Sequence, residues 1–226
     1  PKNTITDTVF VGRLEKDKGI DTFIKSMEFV YLKCGDEIHA SIVGDGSLRE
    51  EYEKYVKNKR IEGIVKFLGN ISHKNVIDVL NKSDIYVSLN HHGNLSNCTL
   101  EALAAGKCTI IPSNKNETDI DQETDKIIPN KVVHRINSLS DEKELANAII
   151  YLHYNQSGRN SRGASAKEWS KMFLSSWEER ISWEIQLLFE IMSNNCVKNY
   201  EDDYKYISAS KGSHRKYHKN KTKHSC

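Results

Sequence analysis

Two cations stand five residues apart in the stretch GRLEKDKG: Arg13 and Lys18, behind the turn-permitting Gly12. A planar guanidinium and a point-charge ammonium held on one loop suit the two phosphates of a diphosphate, with a solvated surface pair as the plainer alternative. NHHGNLSNCTLEAL, residues 90–103, is the densest stretch of candidate chemistry. Asn94 or Ser96 can cap a helix there, and the unpaired N–H groups of its first turn make an anion site without any charged side chain. Glu101 falls one turn inside that helix. Its carboxylate can accept hydrogen bonds from the vicinal hydroxyls of a ribose while the phosphates sit at the helix start, or it can serve as a helix-dipole or capping residue. VGDGSLRE, residues 43–50, invites a dinucleotide reading, but the third glycine of G-x-G-x-x-G would fall at Arg49. A nicotinamide or flavin cofactor is therefore not expected, and no stretch matches the G-x-x-x-x-G-K-[ST] loop of ATPases. Gly44 and Gly46 are read as points of close backbone packing at a cleft.

Elements of alternating type must position these loops. DTVFVG (7–12) reads as a buried strand, followed by a helix over 20–33 with Ile20, Phe23, Ile24, Met27 and Val30 on one face. A strand is expected over 38–46, a helix over 48–59, a strand over 64–69, a helix over 75–81 and a strand over 84–90. A short helix over 97–106, stopped by Gly106 at its C′ position, leads into a strand over 108–112. This alternation predicts an α/β fold: a doubly wound parallel sheet, Rossmann-like, covered by helices on both faces, with ligands beyond the carboxyl ends of the strands. Residues 113–131 are polar and read as a long surface loop, 132–136 as a last strand, and 141–154 as a helix with Leu145, Ala148, Ile149 and Leu152 inward. A long carboxyl-terminal helix is expected over 165–193, opened by a Ser165/Glu168 capping box. Its stripe of Trp169, Phe173, Trp177, Ile181, Leu188 and Met192 packs either on its own domain or, with Trp183 off the stripe, on something outside this chain.

Composition sets the limits. With 226 residues and 38% hydrophobic content the chain can bury a core unaided, and no apolar run approaches the ~18 residues of a membrane span. Five scattered cysteines without a C-x-x-C pair point to a reducing, cytoplasmic setting. A first residue of Pro1, with a strand by Thr8, reads as a cut or a split. Seven basic residues and no acidic one follow Asp203, so the net charge of +2 leaves −5 on residues 1–203. A nucleotide-binding domain over 1–195 and a disordered basic tail over 196–226 are expected, the tail either simply solvated or attracted to an anionic membrane surface. No nucleic acid partner is expected, because the body is acidic and lacks interleaved aromatic and basic residues.

VGRLEKDKGIDTFIKSM, SIVGDGSLREEYE, VKFLGNIS, DIYVSLN and NLSNCTLEALAAGKCTII, in this order, resemble the carboxyl-terminal, donor-binding domain of retaining glycosyltransferases of family 4, which have the GT-B fold. The resemblance covers residues 8–112 and extends weakly through FLSSWEER (173–180). It implies that Arg13 and Lys18 hold the donor diphosphate and stabilise charge on the departing nucleotide, and that Glu101 binds the ribose hydroxyls. The Leu95, Ser96, Asn97 and Cys98 backbone matches the family's phosphate-binding helix start; Lys66 and Phe67 fall where the nucleobase is held, mostly by backbone, and Gly12, Gly44, His92 and Asn94 belong to the same donor site. Gly93 stands where the family has the first Glu of its E-x7-E motif, and His91 or His92 would supply a hydrogen bond in its place. The implied activity is transfer of a hexosyl group from a UDP- or GDP-sugar to a glycan or lipid-linked saccharide, with retention, without cofactor or metal, and with an amino-terminal domain or separate subunit completing the cleft. The alternative is a catalytically inactive nucleotide-binding or regulatory subunit.

Overall fold

A computed structural model of the chain describes residues 5–113, 122–138 and 140–173, with isolated positions 182, 185 and 186. Its elements are β1 (Thr6–Val11), α1 (Ile20–Cys34), β2 (Ile38–Val43), α2 (Arg49–Asn58), β3 (Val65–Gly69), α3 (His73–Lys82) and β4 (Ile85–Val87). These are followed by α4 (Asn97–Ala104), β5 (Cys108–Pro112), α5 (Gln122–Ile127), β6 (Val133–Ile136), α6 (Glu142–Tyr154) and α7 (Gln156–Phe173). The six strands form one parallel sheet in the order β3-β2-β1-β4-β5-β6.

Burial follows from position in that order. β4 and β5 are buried at every residue, whereas edge strand β3 alternates, with Val65 and Gly69 inside and Lys66 and Leu68 outside. β1 divides the core between the two faces. Phe10 joins Phe23, Ile24 and Met27 of α1, Tyr52 and Val56 of α2, and Leu145, Ile149 and Leu152 of α6. Val9 points the other way, to Val76 and Leu80 of α3, Tyr86, and Ala102 of α4. Each large apolar side chain so enclosed contributes about 1.5–3 kcal/mol by leaving water.

Local chemistry sets the element ends. The Ser72 hydroxyl accepts from Asn75 N, and the Asp141 carboxylate from Lys143 N and Glu144 N, at the starts of α3 and α6. α4 ends as its sequence requires: Gly106 has φ 71°, its N–H bonds Leu103 O, and Lys107 N–H bonds Ala102 O, the paired bonds of a Schellman turn.

The structure corrects three expectations. The segment expected as a loop over 113–131 contains helix α5, where Arg135 of β6 ion-pairs with Asp125 and donates to Asn130 Oδ1 and Ile128 O. The last long helix begins at Gln156, not at 165. Asn155 Oδ1 accepts from Gly158 N at 3.0 Å and caps it, so Ser165 and Glu168 lie within the helix and form no capping box. The strands expected over 38–46 and 84–90 stop at Val43 and Val87. The chain leaves the first at Gly44, φ 130°, and after the second the Asn94 side chain takes up Ser88 Oγ and Asn90 N. Trp169 is buried. Trp177, Trp183 and the basic tail lie outside the described residues.

Gly163 of α7 lies against the Gly106 carbonyl so closely that a Cβ would overlap its oxygen, whereas a Cβ on Gly63 meets nothing within 4 Å. Gly163→Ala is expected to lower the unfolding free energy by about 1–3 kcal/mol in urea denaturation, and Gly63→Ala to change it by under ~0.5 kcal/mol.

Candidate functional site

β1 pairs with β2 along one edge, Val11 opposite Val43, and with β4 along the other, Phe10 opposite Val87. Helix α1 reaches β2 over one face of the sheet, and α3 reaches β4 over the other. The loops after β1 and β4 therefore diverge beyond the carboxyl ends of the strands, which is where open α/β sheets hold ligands.

The first wall is stitched by backbone. Gly12 N donates to Val43 O at 3.0 Å, Gly44 N to Gly69 O at 2.8 Å, Leu14 N to Asp45 O at 3.0 Å and Leu48 N to Leu14 O at 3.2 Å. A Cβ on Gly44 would overlap the Gly12 carbonyl, and one on Gly46 would lie 2.6 Å from Leu14 O, so both glycines serve the close approach expected of them. Glu15 locks the arrangement by accepting from Ser47 N and Ser47 Oγ, and those bonds hold its carboxyl below the usual range.

The second wall is the loop from β4 to α4, tied to the first around Lys18. The Lys18 ammonium donates to Asn90 Oδ1 at 3.0 Å and ion-pairs with Asp17 at 3.0 Å, its side chain 19% exposed. The Asp17 carboxyl is held low, chiefly by that Lys18 hydrogen bond. Asp17 O accepts from His91 N at 2.9 Å, and His92 Nε2 lies 3.4 Å from the Asp17 carboxylate. Arg13 is exposed; its carbonyl accepts from Glu15 N at 3.0 Å, and its side chain makes no hydrogen bond or ion pair among the described residues. Asn94 is buried and shapes the loop: it accepts from Ser88 Oγ and Asn90 N and donates to Asn90 O. Asn90 Nδ2 in turn bonds Gly93 O at 2.6 Å, and Gly93 has φ 129°, a backbone that side-chain-bearing residues rarely adopt.

Helix α4 presents its first turn to this crevice. Ser96 caps it by accepting from Thr99 N at 3.3 Å. The Tyr86 phenol, pushed up to about 12 by burial, hydrogen-bonds the hydroxyls of Thr99, Ser88 and Ser96 beneath it. The N–H groups of Leu95, Asn97 and Cys98 have no partner among the described residues, which leaves donors for an anion. Burial, and then the Glu101 charge, raise the Cys98 thiol, so it stays protonated. Glu101 is partly exposed, and its Oε1 lies 2.9 Å from His73 Nε2 at the start of α3.

The structure thus brings Gly12, Lys18, Gly44, His92, Asn94 and the start of α4 to one set of adjoining loops. Lys66 and Phe67 are placed differently. Both lie within β3, Lys66 exposed on the edge strand and Phe67 packed against the core on the α1 side. A shallow concavity along α2, lined by Ser47, Glu50, Glu51, Lys54, Tyr55 and Asn58, contains none of the candidate residues. Sequence reading missed Asn90, Asp17 and His73. Only the Asn–His–His–Gly run carried a signal for Asn90; Asp17 and His73 acquire partners through tertiary placement.

The family described as glycosyl transferases group 1 matches residues 2–169. An uncharacterized glycosyltransferase of Methanocaldococcus jannaschii is 29% identical over 188 residues, covering 82% of this chain and 45% of that protein. The chain spans less than half the length of the curated relatives it matches. Among solved structures, the C-terminal domain of a glycosyl transferase group 1 protein, LpcC of Francisella tularensis, superposes with TM-score 0.63 at 19% identity, covering 75% of this chain and 87% of that one. HepE of Anabaena, in complex with UDP and glucose, superposes with TM-score 0.65 at 16% identity, covering 84% of this chain and 49% of that one. The sheet is the Rossmann-like sheet of GT-B carboxyl-terminal domains. With the family match running from the first strand into α7, the chain belongs to the group 1 glycosyltransferases.

Proposed function

We propose that this chain is the donor-binding half of a retaining hexosyltransferase of the family 4 type, taking a UDP- or GDP-sugar as donor. The observation that carries the reading is the Lys18 ammonium, fixed by Asn90 Oδ1 beside a helix start whose Leu95, Asn97 and Cys98 N–H groups have no partner among the described residues. A diphosphate placed there receives charge-assisted hydrogen bonds from Lys18 and Arg13 and backbone donors from α4. These groups stabilise the negative charge that grows on the leaving diphosphate as the bond to the sugar breaks, so the reading requires no metal ion. Glu101 accepts the ribose hydroxyls, and His92 faces the sugar. The binding of UDP and glucose by HepE, a neighbour of the same fold, supports a nucleotide-sugar donor.

The acceptor is a glycan or lipid-linked saccharide, bound by an amino-terminal GT-B domain or a separate subunit that completes the cleft. The basic run after Tyr204 would hold the assembly at an anionic membrane face, while no helix among the described residues is long and apolar enough to cross a membrane. A regulatory subunit was suggested by Gly93 alone. The positive φ at that position ties its residue choice to the loop backbone, so no observation now favours the regulatory reading.

Titration of the full chain with UDP and GDP by calorimetry is expected to show saturable binding of one of them. Arg13→Ala, Lys18→Ala and Glu101→Ala should each weaken it roughly ten- to a hundredfold; unchanged affinity in all three would overturn the site. Gly93→Glu should cost about 1–3 kcal/mol of stability in a denaturant melt, from strain at φ 129°. A Gly93→Glu chain as stable as its parent, and newly active in transfer, would restore the regulatory reading.

A further inference from the structure

Glu101 is the only carboxylate on α4, and a side chain from α3 holds it. His73 Nε2 stands 2.9 Å from Glu101 Oε1, and because an ionised carboxylate only accepts, the imidazole nitrogen is the donor. The two residues belong to different layers of the sequence: His73 opens α3 just beyond β3, and Glu101 lies in the second turn of α4 beyond β4. Ser72, directly before His73, caps α3, so the imidazole hangs from a fixed helix start. The pair is accessible from solvent, with side chains 70% and 29% exposed, so it does not serve as a buried structural lock. The Cys98 thiol, on the same helix, feels the Glu101 charge and, with burial, is raised and kept protonated. Glu101 Oε2 makes no hydrogen bond among the described residues.

We infer that His73 is a positioning residue for ribose recognition, setting the Glu101 carboxylate so that its second oxygen faces the ribose hydroxyls. The inference rests on the nucleotide-sugar reading of this site. A glutamate has three side-chain torsions to immobilise when it captures a ligand, and a donor that fixes the carboxylate beforehand removes part of that entropic cost. The consequence is selectivity: His73 should matter for ligands that carry the ribose hydroxyls and little for those that lack one.

The test is calorimetric titration of the full chain, unsubstituted and as His73→Ala, His73→Gln, Glu101→Gln and the His73→Ala/Glu101→Gln double variant, with UDP, GDP and their 2′-deoxy counterparts. His73→Ala is expected to weaken ribonucleotide binding roughly three- to tenfold and to narrow the preference over the deoxynucleotide. His73→Gln, whose amide N–H can still reach the carboxylate, should recover most of the loss. The double variant should bind no more weakly than Glu101→Gln alone. Equal weakening of ribo- and deoxynucleotide by His73→Ala, or no weakening while Glu101→Gln still loses affinity, would overturn the positioning role and leave the donor site standing. Failure of the unsubstituted chain to bind UDP or GDP would overturn the donor-site reading and this inference with it.

Discussion

β1 hydrogen-bonds β2 along one edge and β4 along the other, and the chain reaches those neighbours over opposite faces of the sheet. That reversal forces the loops after β1 and β4 apart at the one place where neither connection can cover the strand ends. Gly12, Lys18, Gly44, His92, Asn94 and the start of α4 are arranged around the gap, whereas Lys66 and Phe67 lie within β3. On one side Gly12 N bonds Val43 O and Gly44 N bonds Gly69 O, and a Cβ at Gly44 would collide with the Gly12 carbonyl. On the other side Asn94, buried without charge, dictates the path of residues 88–94.

Electrostatics is added to a scaffold that is otherwise acidic. Residues 1–203 carry a net −5, yet Lys18, Arg13 and the N-terminal turn of α4, the positive end of its dipole, lie on the loops that flank the gap. Lys18 is paired with Asp17 and Asn90, so its ammonium is held in place and its charge is partly offset. Gly93 fits the same arrangement, since its carbonyl anchors the Asn90 amide and its φ of 129° gives the loop its turn.

Much of this was legible in sequence because the signals were local. Apolar periodicity located the helices and the buried strands, Gly106 announced the end of α4, and Arg13 and Lys18 stood out by following a strand and a glycine. What escaped depended on contacts between distant segments. The start of α7 was one such feature: the helix runs through Gly158 and Gly163 because Asn155 caps it and Gly163 fits against the Gly106 carbonyl. Helix α5 was hidden in a polar stretch that Arg135 of β6 organises from outside. His73 and Glu101 are 28 positions apart and meet only after α3 and α4 are laid on the same face of the sheet. The side chain of Phe67 is partly buried against the core, as alternation along an edge strand requires.

The central claim is that a nucleoside diphosphate binds where the β1 and β4 loops part. Backbone amide NMR of the full chain, titrated with UDP and with GDP, tests it most directly. The account predicts that the largest shifts fall on Gly12 to Lys18 and on Leu95 to Cys98. Shifts confined to the concavity along α2, or to the basic run after Tyr204, would contradict it.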